Sequence, residues 1–168
     1  MTTMTDKTEQ LVEALREELK QYGELMAMLE QQQQLVIERN AEGIQAIAEK
    51  IDHESTILEQ CKASREVIQK TIAKDLGLAN DNDFQKIVPM LPDDYQPLVK
   101  ALIEENNHSV MRIGRIAKQN HVLLSRSIEM VNSLIRNICP DVTPNIYDQR
   151  GGVMQQTVSV GAAVEHVC

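Results

Sequence analysis

Aromatic side chains are nearly missing from this chain: one Phe, three Tyr and no Trp in 168 residues. Rings usually dominate a compact core. With 42% of residues apolar, the interior must be built from Leu, Ile, Val and Met. Layers of aliphatic side chains suit helical bundles. Glycine and proline are also scarce, at seven and five, and most lie after position 76. Little in the first part of the chain stops a helix. The three cysteines, Cys61, Cys139 and Cys168, are far apart and odd in number, which argues against a disulfide framework and for a reducing compartment. No apolar run approaches the roughly 18 residues of a membrane span, and residues 1–10 lack the apolar stretch of a signal peptide. Net charge is -8 and no basic patch is visible, which argues against nucleic acid. A cytoplasmic location is expected.

What is present is helical periodicity. Leu11, Leu15, Leu19, Tyr22, Leu25, Met26, Leu29 and Val36 recur at steps of three and four. Thr5 or Thr8 is expected to cap this first helix. Arg39 to Gly43 marks a turn, with Asn40 as the cap of the next helix. The second helix has the cleanest heptads. Ile44, Ile51, Leu58, Arg65 and Ile72 hold one position, and Ile47, Glu54, Cys61 and Ile68 the other. A short connection predicts an antiparallel hairpin over 5–75. Gly77 suits a left-handed helix stop, and the Asn/Asp run at 80–83 caps a short helix that Pro89 and Pro92 end. Pro97 belongs in the first turn of a last long helix. Ile103, Val110, Ala117, Leu124, Val131 and Ile138 give its seven-residue stripe. Asn106 and Asn120, two heptads apart, are candidates to fix its register. Gly114 would allow a close helix approach or a kink. The expected fold is all-α: an elongated antiparallel bundle of three long helices and one short one at 5–139, then a flexible tail at 140–168.

Chemistry is thin. Glu105 and His108 have the spacing used in di-iron bundles, but those proteins need it twice, and no second copy exists. Cys61 on the seam reads as a small core residue. No phosphate loop or nucleophile elbow occurs. No enzyme activity, metal or cofactor is expected. From Leu123 to Ile138 the last helix is apolar over more than one stripe. That surplus, Leu123, Leu124, Ile128, Met130, Val131, Leu134, Ile135 and Ile138, suggests a docking surface, with all but Met130 taken as its binding residues. The competing reading is that the width packs both other helices.

Certain residues carry a family resemblance. They are Leu15 to Leu29 with Tyr22, the Asn40-Ala41-Glu42 turn, Leu91-Pro92, the run Gln119-Asn120-His121-Val122-Leu123-Leu124-Ser125-Arg126-Ser127, and Tyr147 with Gly151-Gly152. In this order they resemble FlgN-type flagellar export chaperones, over about Leu11 to Tyr147. The resemblance implies a bacterial cytoplasmic protein. It would hold hook-associated, hook–filament junction proteins before type III secretion and prevent their premature assembly. It also implies a client site toward the C-terminus, which adds Ile146 and Tyr147 to the helix residues above. The export apparatus and a second copy of the chain are further candidate partners. A general coiled-coil adaptor or scaffold is the alternative.

Overall fold

The computed structural model describes residues 3–78 and 81–138. Among them are four α-helices and no strand: α1 (Met4–Ile37), α2 (Ala41–Asp75), α3 (Phe84–Ile87) and α4 (Gln96–Ile138), with a 3-10 turn at Val88–Met90. The chain divides into two compact units, Met1–Ser125 and Arg126–Cys168.

Capping chemistry sets the ends. Thr3, rather than Thr5 or Thr8, starts α1. Its hydroxyl accepts from the Asp6 amide at 3.1 Å, and the Asp6 carboxylate accepts from the Thr3 amide at 2.8 Å. Only Thr3 is followed three residues later by an acid that can reach back. Thr8 instead is fully buried and donates to the Met4 carbonyl. Both α1 and α2 end on paired Schellman bonds. In α1 these are Asn40 N–H to Leu35 O and Arg39 N–H to Val36 O; in α2, Leu78 N–H to Ala73 O and Gly77 N–H to Lys74 O. The left-handed residue is Gly77 at φ 77° in α2, but Arg39 at φ 58° in α1. Asn40 Oδ1 accepts from the Gly43 amide at 2.8 Å, as the turn pattern predicts. Gly43 does more than weaken a helix. A Cβ there would stand 2.7 Å from Leu35 Cδ2, so any larger residue would push the Leu35 and Asn40 side chains aside. Asp83 caps α3, and Pro89 sits inside the following 3-10 turn rather than ending the helix. The absent proline N–H costs nothing at that first-turn position.

α1 and α2 are antiparallel. Glu18 pairs with Arg65 and, nearer the open end, Lys7 with Asp75. Two clusters fill the Met1–Ser125 unit. Leu11, Val12, Leu15, Ile72, Ala73, Ile87, Leu91 and Val99 form one, at the end where α3 and the start of α4 join the hairpin. Tyr22, Leu25, Leu29 and Leu58 form the other, with Ile51, Ile113 and Ile116 packed on it.

α4 joins through its asparagines. Asn106 Nδ2 donates to the Leu15 carbonyl at 3.1 Å, and Asn120 Nδ2 to the Leu29 carbonyl at 2.7 Å. The offset is 91 residues at both points, so α4 runs parallel to α1 in a single register. The buried seam is therefore Val99, Asn106 and Asn120 with Ile113 between, not the expected Ile103–Val110–Ala117 row. Val110 and Ala117 are exposed. An amide that reaches a main-chain carbonyl needs its helix face turned inward, and that rotation carries the neighbouring heptad row outward. Gly114 meets nothing within 4 Å, so no close approach depends on it.

Candidate functional site

The predicted docking residues divide between the two units. Leu123 and Leu124 are half-buried in the Met1–Ser125 unit. In the second unit, Ile128, Val131, Leu134 and Ile138 are 43%, 54%, 54% and 77% exposed, while Ile135 is half-buried. Met130, at 54% exposure, belongs with them. Steps of three and four from Ile128 through Val131, Leu134 and Ile135 to Ile138 put these side chains on one broad helix face. The face holds no ionisable group, and Glu129 and Arg136 fall on the opposite side of the helix. An aliphatic row of this kind is suited to covering another aliphatic row and to no bond chemistry. Ile146 and Tyr147 lie outside the described residues.

A second feature was invisible at the level of heptads. Glu18 is 3% exposed and accepts from Arg65 Nε at 2.7 Å and from the Tyr22 hydroxyl at 2.9 Å. Arg65 Nη1 donates to Gln69 Oε1 at 2.7 Å, and its guanidinium lies 5.8 Å from the Phe84 ring centre. Gln69 in turn donates to the Asn82 carbonyl. This network ties α1, α2 and the loop before α3 together beside a cleft of about 590 Å³. Burial, then the bond to Glu18, pushes the Tyr22 phenol well above its ordinary range. Cys61 is likewise raised, by burial first and then by Glu17, Glu18 and Glu54, which makes it a poor nucleophile. Arg65 was legible only as a heptad position. The clue to its role would have been a second charged residue, Glu18, on the facing stripe. Glu105 and His108 are both exposed, and among the described residues no group of three or more His, Cys, Asp or Glu is placed to hold a metal.

Among the described residues, no helix is long and apolar enough to cross a membrane. The described residues form an all-helical bundle whose last helix carries an exposed aliphatic face. A family model, that of the FlgN protein, matches residues 1–154. The chain belongs to the FlgN family, a family of flagellar export chaperones. No curated protein and no solved structure matches it.

Proposed function

We propose that this chain acts in the cytoplasm as an export chaperone for hook-associated proteins, and that Ile128, Val131, Leu134, Ile135 and Ile138 cover an amphipathic helix of the client. The supporting observation is the row of exposed aliphatic side chains on the last part of α4. Lone exposed aliphatic residues are ordinary, but a contiguous row marks an interaction surface. Junction proteins pair through helical ends once assembled, so free monomers would expose apolar faces. A chaperone helix laid on such a face blocks premature pairing and releases the client by exchange at the export gate. Binding of this kind is driven by apolar burial, at about 25 cal/mol per Å² before ordering costs, and is therefore tolerant of salt. No catalytic step and no metal enters this role.

The test is a Val131→Asp/Leu134→Asp double variant, titrated with purified hook-associated proteins. Both positions are more than half exposed, so helicity should survive while affinity falls at least about a hundredfold, given two charges forced into an apolar contact. Unchanged affinity in the folded variant would move the site off this helix.

A further inference from the structure

Net charge conceals a segregation along α4. From Asn106 to Ile128 the chain carries Arg112, Arg115, Lys118 and Arg126 and no Asp or Glu, within a protein of net charge -8. The three cations of α1 are engaged, and so are two of the six in the α2–α3 region. Lys7, Arg16, Lys20, Arg65 and Lys86 all have carboxylate partners. Arg112, Arg115 and Lys118 are exposed and form no ion pair with any described residue.

Their neighbours make this more than a solvated charge run. Met111, Arg115, Lys118 and Val122 follow one another at steps of four, three and four, which is one stripe of a helix. Met111 is 60% exposed and Val122 40%. The stripe thus reads apolar, cation, cation, apolar, with Arg112 at its edge. A groove of about 650 Å³ runs beside it, lined by Gln33 from α1 and by Arg115, Lys118, Gln119, Val122 and Leu123. All of these residues belong to the Met1–Ser125 unit, apart from the aliphatic row proposed above for clients.

We propose that this stripe docks an acidic amphipathic helix of a partner protein, two carboxylates on Arg115 and Lys118 and an aliphatic side chain at each end. The spacing favours a helix. Arg115 and Lys118 are one turn apart, and carboxylates three or four residues apart on a facing helix stand about 5–6 Å from each other. A symmetric pairing of this stripe with its copy in a second chain does not fit, because it would set like charges opposite. Nucleic acid fits poorly too. Arg112 to Lys118 covers only about 9 Å of helix, and the remaining surface is acidic and repels phosphates.

The test uses the full chain and a synthetic helical peptide with glutamates between two leucines, compared with the same peptide carrying glutamine. The glutamate peptide should bind, and affinity should drop about tenfold between low and physiological salt. Arg115→Glu/Lys118→Glu should weaken it at least about tenfold, since two attractive exposed pairs become repulsive. Arg115→Gln/Lys118→Gln, which keeps helix propensity, should fall between, and covers the case in which the reversal fails to fold. Three results would each overturn the proposal: equal binding of the glutamine peptide, no binding at low salt, or displacement of the peptide by single-stranded DNA or by phosphatidylserine vesicles.

Discussion

The two ends of α4 have similar aliphatic content and opposite surroundings. Up to Asn120 its inward face is Val99, Asn106, Ser109 and Asn120, all buried, and two of the four donate to carbonyls of α1. Past Arg126 the face is Ile128, Val131, Leu134 and Ile138, purely aliphatic and open. The buried half is the more polar one. Hydrophobicity alone would place them the other way round. Polar groups inside a bundle cost stability and fix one register, because any other leaves an amide without its carbonyl. Both asparagines and the carbonyls that they reach lie within the Met1–Ser125 unit, and the second unit holds no such asparagine–carbonyl bond among its described residues. A face with no register to hold can be all aliphatic, as a surface for a partner requires.

The comparison breaks most visibly under truncation of side chains. Leu15 and Ile72 are completely buried, and changing either to Ala should cost about 2–5 kcal/mol. Leu134→Ala, at a 54% exposed site, should stay within about 0.5 kcal/mol. Urea unfolding of the three variants checks this. An equal cost at Leu134 would mean that the open face is covered in the free protein.

Asn120→Leu sharpens the same contrast. Asn120 Oδ1 is buried with no hydrogen-bond partner, although Nδ2 has two, from Leu29 and Gln32. Replacing the amide by an aliphatic group of similar size removes that orphan acceptor. Stability should rise or hold within about 1 kcal/mol, while the register of α4 on α1 loosens. Spin-label distances between α1 and α4 should broaden even as the melting temperature holds or climbs. A narrow distribution would show that apolar packing alone sets the register.

The glycines give a smaller, signed test. Gly43→Ala places a Cβ 2.7 Å from Leu35 and 2.9 Å from Asn40, and should destabilise by about 1 kcal/mol despite alanine's helix preference. Gly114→Ala meets nothing and should stabilise by about 0.5–1 kcal/mol. Thermal melts of the pair should move in opposite directions.

Much of this was legible in the sequence. The hairpin, the Asn40 cap, the Gly77 stop, Pro97 in a first turn and the all-α class followed from local chemistry, which acts over three or four residues. The face of α4 did not. Counting apolar residues favoured Ile103, Val110 and Ala117, yet Val110 is 44% exposed, because Asn106 and Asn120 bond across a separation of 91 residues. The buried Glu18–Arg65 pair was hidden for the same reason, with partners 47 residues apart. The basic stripe of α4 was hidden differently: a net charge averages over a local run.

The smallest effect concerns the first turn of α1. The Thr3 amide donates to the Asp6 carboxylate at 2.8 Å, and that bond first, then the Thr3 side chain, holds the Asp6 carboxyl below its ordinary 3.8. The folded form therefore favours the ionised carboxylate. Its contribution is complete above the unfolded value, near 3.8, and is lost as pH falls through the lower folded value. Asp6 is fully exposed, so the effect should be local fraying rather than loss of the bundle. Amide exchange at Asp6 and Lys7 should accelerate on acidification below pH 4, while exchange at Leu15 and Ile72 stays slow. Asp6→Asn should abolish that pH dependence at the first turn and leave the buried positions unchanged. Acid-dependent fraying that persisted in Asp6→Asn would show that the Thr3–Asp6 bonds are not what holds the start of α1.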